Sequence, residues 1–362
     1  MFLEKDAVIL AIENELEWPY AALLPSYGKG REAPDARYIS LIFGTNLTDV
    51  VITGNNGTID GQGEHWWTNF REGKLTATRP YMIEIMYSDQ IQISNITLLN
   101  SPSWNLHSIY SSDIVIEKLT ILAPVNSPNT DGIDPDSCTN VRIKDCYIVS
   151  GDDCIAIKSG WDRYGIEFGM PTKDVIIEKL TCISPASAAI AFGSEMSGGI
   201  ENVRAEDIIT INTQTGVSVK TSPGRGGYIK NIFARRMNFY CSMTYVFRIS
   251  GSYGQHPDDG FDPEALPVVE TISLRGIRAE NVTYPARLEG IPGNTFEGIC
   301  VSNAEFILTK EPEELQWNCS NVEGLTSSVV PKACDLLPEK PGFYCPYPED
   351  RLPIEEVPLK TC

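Results

Sequence analysis

Histidine is scarce, with three in 362 residues, and no CxxC pair occurs among the cysteines, so the usual zinc ligand sets are missing. Basic residues are also few. The 29 Lys+Arg face 48 Asp+Glu, leaving a formal charge of −19, which argues against a nucleic-acid partner. No apolar run approaches the roughly 20 residues of a membrane span, so no membrane partner is expected. With 42% hydrophobic and 21% charged residues the chain is not of the disordered type, and its composition is that of a soluble globular protein.

Ten cysteines are present, all from Cys138 onward, and five Asn-X-Ser/Thr sequons begin at Asn46, Asn56, Asn95, Asn281 and Asn318. Together they suggest a secreted, extracellular protein that matures in an oxidising compartment. The start of the chain conflicts with that address. Ala7 to Ile12 is its only early apolar run, Glu13 and Glu15 follow, and neither a basic n-region nor a cleavage site is recognisable. The expectation is a chain numbered after its leader, or one truncated inside a strand.

Short β-branched strands recur after polar turns: Ile91-Gln92-Ile93, Ile114-Val115-Ile116, Val141-Arg142-Ile143 and Val175-Ile176-Ile177. A second apolar strand follows each, as in Ile96-Thr97-Leu98, and no helical stripe is sustained. One such unit cannot bury its apolar face alone. Stacked in parallel, the units would share a continuous core, so the spacing predicts an all-β solenoid of the parallel β-helix type, with an antiparallel sandwich as the competing arrangement. From about residue 310, Glu311-Pro312-Glu313-Glu314 opens a proline-rich tail carrying four cysteines, expected to be a disulfide-tied extension of a single domain, 1–362. Cys319 and Cys334 are a plausible local pair.

Two acidic segments carry the chemistry: Asn129-Thr130-Asp131-Gly132-Ile133-Asp134 and Gly151-Asp152-Asp153-Cys154. Asp131 and Asp152 are about one coil apart, which would set them on adjacent rungs roughly 4.8 Å apart. Neighbouring strand residues face opposite ways, so Asp152 and Asp153 can share a groove only if the chain bends, and Gly151 permits that. Crowded carboxylates repel, which raises the pKa of at least one and suits it to general acid catalysis of glycoside hydrolysis. The same residues could instead cap turns, and Asp131, Asp134 and Asp136 could be read as a cation set, although no EF-hand pattern supports it. No metal or other cofactor is expected.

Asn129-Thr130-Asp131, Gly151-Asp152-Asp153, Gly57-Thr58-Ile59-Asp60-Gly61-Gln62-Gly63 and the strand with Lys220 together resemble family 28 glycoside hydrolases, the polygalacturonases. Ser101-Pro102-Ser103-Trp104-Asn105 and Gly193-Ser194-Glu195-Met196-Ser197-Gly198-Gly199 are similar to the plant branch. The resemblance implies a right-handed parallel β-helix that hydrolyses α-1,4-galacturonan of cell-wall pectin with inversion, as a monomer without a cofactor. It implies Asp152 as general acid, with Asp131 and Asp153 holding and activating water. Inversion leads us to expect about 6.5–9.5 Å between acid and base.

Two positions depart from the family pattern. Ala188 stands where family members carry a histidine, and Ser218-Val219-Lys220 replaces Arg-Ile-Lys, removing an arginine that would contact a substrate carboxylate. Asn129, Lys220, Arg225, Lys158 and His107 are the candidate substrate-binding residues, the middle three as cations for an acidic polymer. Trp161 and Tyr164 could pack on sugar or anchor a loop, and Glu195 reads as part of a coil-closing turn. Two further functions remain open: hydrolysis of a modified pectin such as rhamnogalacturonan or xylogalacturonan, and pectin binding without cleavage.

Overall fold

The β-branched members of each triplet face one interior. Ile91, Ile93, Ile114, Ile116, Val141, Ile143, Val175 and Ile177 are at most 1% exposed. The computed structural model, which describes residues 1–241, 243–309 and 316–360, stacks them in parallel, Ile91 beside Ile114, then Val141, Val175 and Val203. The spacings read from the sequence are therefore the rung spacings. This first ladder opens each coil.

A second ladder runs through Thr58–Asp60, Thr97–Leu99, Thr120–Leu122, Tyr147–Val149 and Thr181–Ile183. A third runs through Leu106–Ile109, Ile133–Asp136, Ile155–Ile157, Ala188–Phe192, Thr215–Lys220 and Met243–Ser250. The ladders join in one 26-stranded sheet wound as a right-handed parallel β-helix. A sandwich is excluded by this pairing. Among the described strands, the antiparallel pair is the short Tyr20–Ala21 with Arg37–Tyr38.

The sharp turn from first to second ladder uses one left-handed residue per coil: Asn95, Lys118, Asp145, Lys179, Asp207, Arg236 and Asn303 all have positive φ. Asn and Asp tolerate that conformation best, which accounts for their recurrence in the polar turns. Among the described residues three disulfides are formed, Cys154–Cys182 between coils, Cys300–Cys345, and the locally paired Cys319–Cys334. Glu311 to Glu314 and Cys362 lie outside the described residues.

After the strand Val322–Val330 the chain turns back along the outside of the first ladder. The Cys345 amide donates to Ser302 Oγ, Tyr347 lies under Arg235, and Leu352 and Ile354 are buried against Val115 and Ile176. Arg204 and Arg142 donate to the Asp350 and Ile354 carbonyls at 2.6 and 2.7 Å, and the Lys360 amide donates to Gln92 Oε1 at 2.7 Å. The first ladder is thus covered. The third keeps an open face.

Candidate active site

The acidic segments are the turns that lead from the second ladder into the third. Ile133 pairs with Ile155, and the Gly132 amide donates to the Asp153 carbonyl at 2.9 Å, which sets Asp131 beside Asp153, not beside Asp152 as the coil-length count suggested. Residues 151–153 bend before the strand at Ile155, so Asp152 and Asp153 both reach the cleft. A Cβ at Gly151 would lie 2.0 Å from the Ser127 carbonyl oxygen. Only glycine fits there.

One oxygen from each of Asp131, Asp152 and Asp153 lies within 4.8 Å of the others. This corrects the expected 6.5–9.5 Å separation: the three come from adjacent rungs, and rung spacing sets their distance. The set Asp131, Asp134 and Asp136 is not assembled: Asp136 accepts instead from Tyr27 Oη and His107 Nε2. The three clustered carboxylates line a cleft of about 460 Å³ together with Asn129, Lys158 and Lys220.

The environment divides the carboxylates. Asp153 accepts from Lys220 Nζ at 2.5 Å, Ser187 Oγ at 2.5 Å and the Ala188 amide at 2.9 Å, three donors on one carboxyl group. Asp152 accepts from Asn129 Nδ2 at 3.4 Å, and burial followed by the nearby Asp153 charge raises its pKa. Burial, then Asp152, pushes Asp131 well up. Beneath them Asp134 is fully buried with neither oxygen hydrogen-bonded, and burial pushes its pKa well up too. A carboxyl group with a raised pKa therefore adjoins one held by three donors.

Lys158 lies at the cleft floor, with Nζ 3.3 Å from Glu195 Oε2, 3.7 Å from both Asp131 and Asp134, and 4.5 Å above the Trp104 ring. Burial would lower its pKa, but Glu195, Asp131 and Asp134 hold it well above the ordinary value. Glu195 also pairs with Arg31 at 3.0 Å. Burial would raise the Glu195 pKa, yet Arg31 and Lys158 hold it far below the carboxylate range.

This triad on the open face of a β-helix can be compared with known proteins. The model of glycosyl hydrolases family 28 matches residues 30–329. The chain belongs to that family. It is 58% identical to a protein of Vitis vinifera named "Probable polygalacturonase", over all of this chain and 74% of that one. Its match to a similarly named protein of Arabidopsis thaliana is 34% identical, over 52% of this chain and 38% of that protein. An exopolygalacturonase of Thermotoga maritima shares the fold, with a TM-score of 0.75 at 24% identity, over 91% of this chain and 79% of that chain.

Within this family 28 fold, Asn129, Lys158 and Lys220 reach the cleft as the sequence suggested. Arg225 does not. It is fully buried, paired with Asp162 and donating to the Ser194 and Gln255 carbonyls, so it braces loops and cannot meet a sugar. His107 is likewise fully buried, between Glu84 at 3.0 Å and Asp136 at 3.4 Å. Burial would lower its pKa, but those carboxylates raise it, and it is a buried partner of two carboxylates in place of the expected sugar contact.

Trp161 donates to the Gln255 carbonyl and Tyr164 to Asp258, so both anchor the loop around Gln255. Glu195 is no mere turn residue, since its carboxylate lines the cleft. Arg31, Arg248 and Arg287 also line it and were not singled out from the sequence. The one available signal was the strand alignment below the Ser218 position, because Ser218, Arg248 and Arg287 stand in register.

Proposed function

We propose that this family 28 glycosyl hydrolase cleaves α-1,4-galacturonosyl linkages of pectin in an extracellular cell-wall setting. The observation that carries the reading is the contrast within the triad: Asp152 with a raised pKa beside Asp153 with three donors. Asp152 donates its proton to the glycosidic oxygen as the C1–O bond breaks and its electron pair passes to that oxygen. Water, held by Asp131 and Asp153, attacks C1 and loses its proton to Asp153. Lys220 donates to Asp153 and holds it in place. Asn129 orients Asp152.

The three disulfides, with the exposed positions of Asn46, Asn56, Asn281 and Asn318, support a secreted glycoprotein. The returning tail supports one domain, with the segment from about residue 310 as its extension. Reducing-end release from polygalacturonate near pH 5 is the test. Asp152→Asn should abolish it, and the first product formed should be the β-anomer by proton NMR, the outcome of inversion. The spacing under 4.8 Å is shorter than that usual for inversion, so an α-anomer would replace the single displacement by a double one. Unchanged activity in Asp152→Asn would refute the assignment.

A further inference from the structure

Ser218 stands where family members carry an arginine, yet it is 3% exposed, and the cleft's other cations are engaged. Lys220 is on Asp153, Lys158 is on Glu195, and Arg31 is on Glu195. On the next rung Arg248 occupies the same column, and Arg287 follows on the rung after that. Side chains in one column share a face, about 4.8 Å apart, so both arginines rise from the cleft side of the third ladder. Both line the cleft.

Arg287 is tied to Glu289 at 2.9 Å. Arg248 has no ion pair among the described residues, and its Nε is buried without a hydrogen-bond partner. Its guanidinium lies 5.7 Å from the centre of the Tyr245 ring, which itself stacks on Tyr284 at 5.5 Å. An unpaired planar fork held on an aromatic platform suits a bidentate carboxylate. With a net charge of −19, the protein repels a polyanion at long range, so recognition has to come from such a local cation.

We propose that Arg248, flanked by Arg287, is the carboxylate-reading group of this cleft, and that it accepts a uronate one rung beyond the position where family members carry their arginine. The inference rests on the galacturonan reading above. It makes Arg248 a specificity residue that favours free uronate over its methyl ester, because esterification removes the charge that the fork would grip.

The test compares wild type, Arg248→Gln and Arg248→Lys on polygalacturonate and on highly methyl-esterified pectin. In Arg248→Gln, kcat/KM for polygalacturonate should fall about tenfold or more, while that for the ester changes by less than about threefold, and lysine should restore part of the loss. Calorimetric binding of oligogalacturonate to Asp152→Asn, with and without Arg248→Gln, should show the same loss without needing turnover.

Hydrolysis and binding that ignore the substitution would overturn the inference and leave the galacturonan reading intact. Arginine-dependent binding by a wild-type chain that cleaves neither polymer would overturn that reading and keep the inference. Neither cleavage nor binding would overturn both. Melting curves of the two Arg248 variants that match wild type exclude misfolding as the cause.

Discussion

Replacing Lys158 by methionine removes the buried charge that faces Asp131, Asp134 and Glu195 while keeping most of the side-chain volume. Glu195 retains Arg31, but Asp131 and Asp134 lose the cation 3.7 Å away, and Asp134 has no hydrogen bond to fall back on. Breaking a buried pair from one side costs about 3–5 kcal/mol. At roughly 2 °C per kcal/mol for a chain of this size, the melting temperature should drop on the order of 6–10 °C at pH 7.5.

The sign of the pH dependence follows from the directions of the shifts. Asp131 and Asp134 have raised pKa values, so their ionisation opposes folding above the unfolded value near about 4, and protonation relieves that as pH falls through the folded value. Without Lys158 the folded values rise further, and relief begins at higher pH. The gap between variant and wild type in scanning calorimetry should therefore be wide at pH 7.5 and clearly narrower at pH 5. A shift below about 2 °C at pH 7.5, or an equal shift at both pH values, would refute this account of the cleft floor.

Lys220 lowers the pKa of Asp152, so Lys220→Gln should move the alkaline limb of kcat/KM upward by about one pH unit on the residual activity, and a downward move would contradict Asp152 as the acid. Ser187→Ala removes one of the three donors to Asp153, and steady-state assays should show kcat reduced roughly tenfold or more with the fold intact. Ala substitution of both Cys154 and Cys182, which close a 28-residue separation, should lower stability by about 3–4 kcal/mol in denaturant titration. An unchanged midpoint would show that this disulfide does not constrain the unfolded chain.

The ladders were legible because inward positions of a stacked strand accept little but Ile, Val and Leu, and the Ile91, Ile114, Val141 and Val175 series repeats that demand once per coil. The triad was legible because Asp152 and Asp153 adjoin a glycine that no other residue could replace. The register was harder. A turn of irregular length precedes the third ladder, so residue counting matched Asp131 to Asp152 when strand pairing matches it to Asp153.

Arg225 and His107 were misjudged because their acidic partners, Asp162, Glu84 and Asp136, lie far away in sequence and nothing local marks those pairs. Glu195 and Arg31 were hidden for the same reason, and Arg248 because its place in the Ser218 column exists only in the strand register. A lone charge in a one-dimensional string does not reveal which side of a coil it occupies. Their roles appear only once several rungs and a loop from the N-terminal region meet at one cleft.

The returning tail has a consequence for biosynthesis. In a solenoid each coil touches only its neighbours, so coils can form in the order in which they leave the ribosome. Val115 and Ile176, however, find their cover in Leu352 and Ile354, and the contact between Gln92 and Lys360 spans 268 positions. At the usual 5–20 residues per second, the Val115 position waits on the order of ten to fifty seconds for its partner to be made. During that interval the nascent helix presents an uncovered apolar seam down one side, and a stretch synthesised well over two hundred residues after Val115 is the one that closes it.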